Sequence, residues 1–254
     1  MTKEEPSSQL SINTKSRPLP SVEAQLEEVG GEHKYQLKVF VIFAIQWILA
    51  AFVIMGQPYL FMSPRFECQD PRDPSRVIEC TELEQGCKKK IVKPNSQHSV
   101  VFEFGLYCEN SNLVYIASCI TFTMAAILSL LFAQFAEYRG RKLALLCAYM
   151  LGAVSIFLAP LMSNYWYVVL FYGLAVSGFW SYTTITIVLL AETSSLKYMQ
   201  YTTTGLMIIW ASSEALVPPL SYLFRNWRTF SIIFIALPAI INFGFFYHVY
   251  ESPR

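Results

Sequence analysis

The chain lacks the marks of soluble-enzyme chemistry. It has no GxxxxGKS/T, HExxH or GxSxG run, and its three histidines, His33, His98 and His248, stand far apart. Phosphate-loop, zinc-protease and serine-hydrolase mechanisms therefore have no residues to work with. Charged residues make up only 15% of the sequence, too few to coat an ordinary soluble domain or to form the basic surface that nucleic acid needs. No apolar stretch follows a basic start within the first 36 residues, and six glutamates there exclude an Arg-rich, acid-poor import peptide. The first membrane span is thus expected to direct insertion itself. No close CxxC pair occurs, so nothing points to a metal or a cofactor.

What is present is apolar and gathered into blocks. Hydrophobic residues are 54% of the chain and mean hydropathy is +0.38. Six blocks reach the roughly 20 residues of helix that a hydrocarbon core requires: Leu37–Met62, Leu113–Phe135, Leu143–Met162, Tyr165–Ala191, Tyr201–Phe224 and Thr229–Tyr250. Each is read as a helix, because a lone strand would leave its backbone groups unpaired in lipid and no alternating pattern repeats as in a barrel. The expected fold is all-α: a multi-pass membrane protein with six transmembrane helices over residues 37–254, and the lipid bilayer as its first partner. Residues 1–36, with Pro6, Pro18, Pro20, Gly30 and Gly31 and few large apolar side chains, read as a disordered tail.

Orientation follows from short-loop cations, which are retained on the cytoplasmic side. The turn after the second span carries Arg139, Arg141 and Lys142, and the loop after the fourth carries Lys197. Both are placed inside, with the N-terminus inside as well. Arg225 and Arg228 at the fifth turn, and a net acidic tail, pull the other way. The plasma membrane is the expected location. On this topology residues 63–112 are extracellular and hold Cys68, Cys80, Cys87 and Cys108. An even number of cysteines in an oxidising compartment predicts two disulfides, with three possible pairings. Cys119 and Cys147 lie within spans as packing residues.

Several separate segments resemble one family. Residues 133–142, AQFAEYRGRK, are similar to the G-x-L-A-D-R-x-G-R-K/R turn of the major facilitator superfamily. CENSNL at 108–113 and YLFRNWR at 222–228 resemble motifs of its organic cation/anion transporter branch, as does ESPR at 251–254. The resemblance covers about residues 33–254. It implies one half of a fold that places two six-helix units around a translocation path, with an extracellular Cys-bearing loop between helices one and two. Departures are specific: Ala133 replaces a Gly, Glu137 an Asp and Tyr138 an Arg, and Val169 stands where the branch has an Arg four residues before Gly173. Glu192 matches the family's Glu at the end of the fourth span. In the family the Glu137–Lys142 turn, with Gly140, Arg141 and Lys142, latches the two halves; Arg225 and Arg228 belong to the fifth-helix motif. A plain topology anchor is the alternative reading of the turn.

Inside the spans, Glu214 is the one acidic residue placed deep. An ionisable group there is costly and usually faces a cavity or a partner, as a proton acceptor or a counter-ion to a cationic substrate. The alternative is a neutral Glu bonded to Ser212, Ser213 or a neighbouring helix. Pro218 and Pro219 delete backbone donors just beyond it. Trp180, Tyr182 and Trp210 are the aromatic candidates for a substrate path, since aromatic faces attract organic cations; packing is the alternative for each. Ser181, Thr183, Thr184 and Thr186 would either line a polar path or bond their own helix. Gly173 and Gly178 offer a small face for close helix packing.

The function this implies is transmembrane transport of a small organic ion, by a chain that needs a second six-helix unit, either a copy of itself or another chain. The rival is a non-transporting structural or adaptor subunit that retains the half-fold, and a receptor using the Cys-bearing loop is a third reading.

Overall fold

The computed structural model describes residues 33–63, 66–69, 77–79, 90–92, 97–106, 110–193 and 196–244. Helix α1 (His33–Met55) ends at Gly56, and a one-turn helix α2 (Gln57–Leu60) follows with Pro58 in its first turn. Proline is tolerated there because the donor it lacks would be unused. Next come β1 (Phe66–Gln69), β2 (Val77–Glu79) and β3 (Lys90–Val92). They form an antiparallel sheet in the order β2-β1-β3, with Cys68 opposite Ile78 on one side and Lys90 on the other. The expectation of an all-α protein holds for the spans; this small sheet is an addition that hydropathy does not reveal. Of the four expected disulfide cysteines, Cys80, Cys87 and Cys108 lie outside the described residues, and Cys68 is described by its backbone alone.

A one-turn helix α3 (Val100–Glu103) is capped by Ser99, whose hydroxyl accepts from the Phe102 N–H at 3.2 Å. The long helices follow: α4 (Asn112–Arg139), α5 (Arg141–Leu158, prolonged by a tighter turn to Leu161), α6 (Tyr165–Thr193) and α7 (Leu196–Leu223). Last come α8 (Trp227–Phe230), a π-helical run at Ser231–Ala236, and α9 (Leu237–Asn242). The wide π turns lie just ahead of Pro238, whose ring would press on the Phe234 carbonyl in a tight α-helix.

Five helices are long and apolar enough to cross a membrane: Leu37–Met55, Asn112–Arg139, Arg141–Leu161, Tyr165–Glu192 and Tyr198–Leu223. A sixth apolar helix, Trp227–Asn242, is shorter over the described residues; the rest of the sixth expected span, from 245 onward, falls outside them. The architecture is that of an integral, multi-pass, all-α membrane protein.

Helix α6 is the hub, packing along α4 and α5 and touching α1, which in turn packs along α7. Small residues allow the closest approach. A Cβ on Gly178 would lie 2.5 Å from the Gly152 nitrogen, and one on Gly152 would lie 2.9 Å from the Phe179 ring. Burial is uneven. In the apolar stretches of α1, α6 and α5, 67%, 61% and 56% of residues are buried, against 17% in α4 and 22% in α7. Helices α4 and α7 therefore present broad faces that nothing in this chain covers among the described residues.

Candidate functional site

At one end of the bundle α4 closes on Gly140, with φ 105° and ψ 150°, a conformation glycine adopts without strain. Its N–H still bonds the Ala136 carbonyl at 3.2 Å, so the chain reverses within a single residue and α5 begins at once. The Arg141 guanidinium donates through Nη2 and Nε to Glu192 Oε1, at 3.0 and 3.2 Å. This ion pair ties the start of α5 to the end of α6. Glu137, Tyr138 and Arg139 lie on the exposed side of the turn, Tyr138 most of all, while Lys142 is half-buried. The structure thus joins Arg141 to Glu192, two residues that the sequence offers only as separate motif matches.

At the opposite end, α3 is bolted to the bundle by Glu103. Arg228 grips this carboxylate by Nε, at 3.0 and 3.1 Å to its two oxygens, and by Nη2 at 2.5 Å to Oε1. The Trp227 indole N–H donates to Oε2 at 2.7 Å. The remaining Arg228 donors reach the carbonyls of Pro160 and Met162, at the end of α5, and the guanidinium stacks 5.1 Å from the Trp227 ring. Partial burial by itself would raise the Glu103 pKa, but the bonds from Arg228 and Trp227 and the charge of Arg228 outweigh it, so the carboxyl is held below its usual value. A short parallel bridge between His98 and Asn226 completes the junction, and Ser99 Oγ donates to the Met62 carbonyl at 2.7 Å. Arg225 lies over the Tyr222 ring, 5.7 Å from its centroid. A crevice lined by Gly56, Tyr59, Gln97, His98, Arg225 and Trp227 opens beside the clamp.

The four substrate-path candidates have different surroundings. Tyr182 is fully buried; its hydroxyl donates to Gln46 Oε1, and its ring packs against Phe43 and Tyr149. Trp210 is half-buried and meets the buried Trp47 edge to face at 5.8 Å. Trp180, on the same helix as Tyr182, is 41% exposed. Glu214 is exposed halfway along α7. The hydroxyls of Ser181, Thr183, Thr184 and Thr186 all donate to carbonyls of their own helix, at 2.7 to 3.1 Å. They therefore bond their own backbone instead of offering free donors to a path. Ser212 and Ser213 likewise donate to Ile208 and Ile209, and among the described residues no hydrogen bond or ion pair holds the Glu214 side chain.

Sequence reasoning overlooks Gln46 and Glu103. Gln46 is legible in retrospect as the polar residue in the middle of VIFAIQWILA. It is fully buried, and its Nε2, like Trp47 Nε1, finds no partner. Glu103 carries no such mark, because its importance rests on a contact with a residue 125 positions away.

The helices and these polar contacts define a multi-pass, helical integral membrane protein with one clamped end, one tight charged turn and an acidic residue on an uncovered helix face. Compared with known protein families, the sequence matches none of their profiles.

Proposed function

We propose that the chain is a six-helix half of a membrane transporter for small organic ions, related to the organic cation/anion branch of the major facilitator superfamily and working with a second six-helix unit. The observation that carries this reading is Glu214: an ionisable side chain without a partner among the described residues, exposed halfway along α7. A carboxylate turned to lipid at that depth is strongly disfavoured, whereas one lining a water-filled path is not. The sparse burial of α4 and α7 supports the same idea, since these faces are free to border a path and a second unit. The tight turn at Gly140 and the Arg141–Glu192 pair support the family resemblance. The cations of that turn favour a cytoplasmic N-terminus, and with it an extracellular segment 63–112 at the plasma membrane.

The test is uptake of a labelled organic cation and a labelled organic anion, in cells and in vesicles bearing the full chain. Saturable uptake that falls about tenfold or more in Glu214→Gln, with unchanged amounts in the membrane, is expected; tenfold corresponds to about 1.4 kcal/mol of lost interaction. Uptake that is absent in every assembly containing the chain, or indifferent to Glu214→Gln, would overturn it. A second reading, a non-transporting subunit, is favoured by the self-bonded hydroxyls of α6 and by the packed states of Tyr182 and Trp210. A stable hetero-complex without uptake is the outcome that fits it.

A further inference from the structure

Helix α7 runs without a break through Pro218 and Pro219. In an α-helix the carbonyl of residue i accepts from the N–H of residue i+4. Proline has no N–H, so Pro218 leaves the Glu214 carbonyl without its donor, and Pro219 leaves the Ala215 carbonyl without its own. The Glu214 carbonyl loses more, because the next residue along, which could have served it in a wider turn, is the second proline. Ser221 does not repair the loss, since its hydroxyl donates to the Pro218 carbonyl at 2.9 Å. Glu214 and Ala215 are both exposed, as are Ala211, Ser212 and Pro219 around them. One stretch of the uncovered face therefore gathers a carboxylate and two donor-starved carbonyls at membrane depth, where neither kind of acceptor is stable alone.

We infer that Glu214 and the carbonyls of Glu214 and Ala215 form a binding point for a small monovalent cation that takes lone pairs directly, either a primary ammonium group or a bare alkali ion. A primary ammonium offers three N–H donors and no acceptor, matching these three acceptors in number and kind. An alkali ion meets the same oxygens, in the way that unwound carbonyls hold ions in other membrane proteins. A quaternary ammonium has no donor to give them and is left with the charge alone. Trp210 stands one turn before Glu214, on the side toward which a helical side chain leans. It offers an aromatic surface to the apolar part of an amine. The inference deepens the reading of Glu214 as facing a cavity, and it concerns binding, not movement across the membrane.

The experiment uses the full chain in lipid nanodiscs, titrated separately with propylammonium, Na⁺ and tetraethylammonium, with calorimetry and tryptophan emission as readouts. Glu214→Gln is compared with the double variant Pro218→Ala/Pro219→Ala, which restores both N–H donors and keeps the charge. Its added backbone bonds favour the helix, and circular dichroism checks the fold. Binding of propylammonium, of Na⁺ or of both, weakened tenfold or more in each variant, is the expected result, and the responding titrant identifies the occupant. Unchanged binding in the proline variant, tetraethylammonium binding as tightly as propylammonium, or no binding of either small cation would overturn the inference. Binding without uptake would leave it standing and remove only the transport reading. Uptake that depends on Glu214 but ignores the prolines would do the reverse.

Discussion

Arg141 and Glu192 are separated by 51 positions in sequence and by 3.0 Å in space. They close the Gly140 turn against the far end of α6, so the start of one helix and the end of another share a single ion pair. Their side chains are 16% and 34% exposed, which sets the scale of the effect. Partly exposed pairs contribute on the order of 0.5–1 kcal/mol. Arg141→Ala and Glu192→Gln should each lower the thermal midpoint of the detergent-solubilised protein slightly. The double variant should cost less than the sum of the two, and a strictly additive result would show that the pair contributes nothing to stability.

The Glu103 clamp should depend on pH in one direction only. Its carboxyl is held below the usual value of 4.5 in the folded chain. The stabilisation is therefore fully present above that value and lost as pH falls below it, through the folded pKa. Trp227 emission should be flat from neutral pH down to about 5 and change below that, as the indole loses its acceptor. In Glu103→Gln that acid transition should disappear. Removing the carboxylate altogether, as in Glu103→Ala, leaves several donors of Arg228 and Trp227 unpaired and should cost about 1–3 kcal/mol.

Two glycines of α6 make a paired test of close packing. A methyl group on Gly178 would meet backbone atoms of α5, 2.5 Å from the Gly152 nitrogen and 2.7 Å from the Ala148 carbonyl oxygen. Neither can give way without moving a helix. A methyl group on Gly173 would meet the sulfur of Met124 at 3.1 Å, and a methionine side chain can turn aside. Gly178→Ala should lower stability by about 1–3 kcal/mol or more, and Gly173→Ala should be close to neutral. Equal thermal midpoints for the two variants would contradict the packing described.

Gly140→Ala carries a backbone penalty in place of a packing one. At φ 105° and ψ 150° a side chain is strained, at a cost of about 1–3 kcal/mol. The variant should express at a lower level, with the loss visible as a reduced thermal midpoint and not as a change in oligomeric state.

The spans were the legible part of the sequence, because lipid leaves the backbone few choices and block hydropathy records them. The Leu113–Phe135 block emerges as a helix prolonged to Arg139, where Gly140 stops it. The Leu37–Met62 block breaks at Gly56, ahead of Pro58. Gly140 itself was readable, since a positive φ between two touching helices admits little else. The polar contacts were not readable. Glu103 and Arg228 sit in unrelated stretches, and only the meeting of α3, α5 and α8 brings them together. Tyr182 was a reasonable candidate for a path, yet burial and its bond to Gln46 make it part of the packed interior. Periodicity could not foresee this, because α6 is apolar on every side and no single face announces itself as inward.

The π-helical run at Ser231–Ala236 gives the last apolar helix a break in phase. Its wide turns shift every later side chain around the axis relative to those before it, so the two parts of the helix answer to different wheels. Tyr149 depends on that phase, since its hydroxyl donates to the carbonyl of Ala239 at 2.8 Å, beyond the run. A single-residue deletion within 231–236 would do more than shorten the helix. It would turn Ala239 by about 100°, leave a buried tyrosine without its acceptor, and uncouple the interior of α5 from the last helix of the bundle.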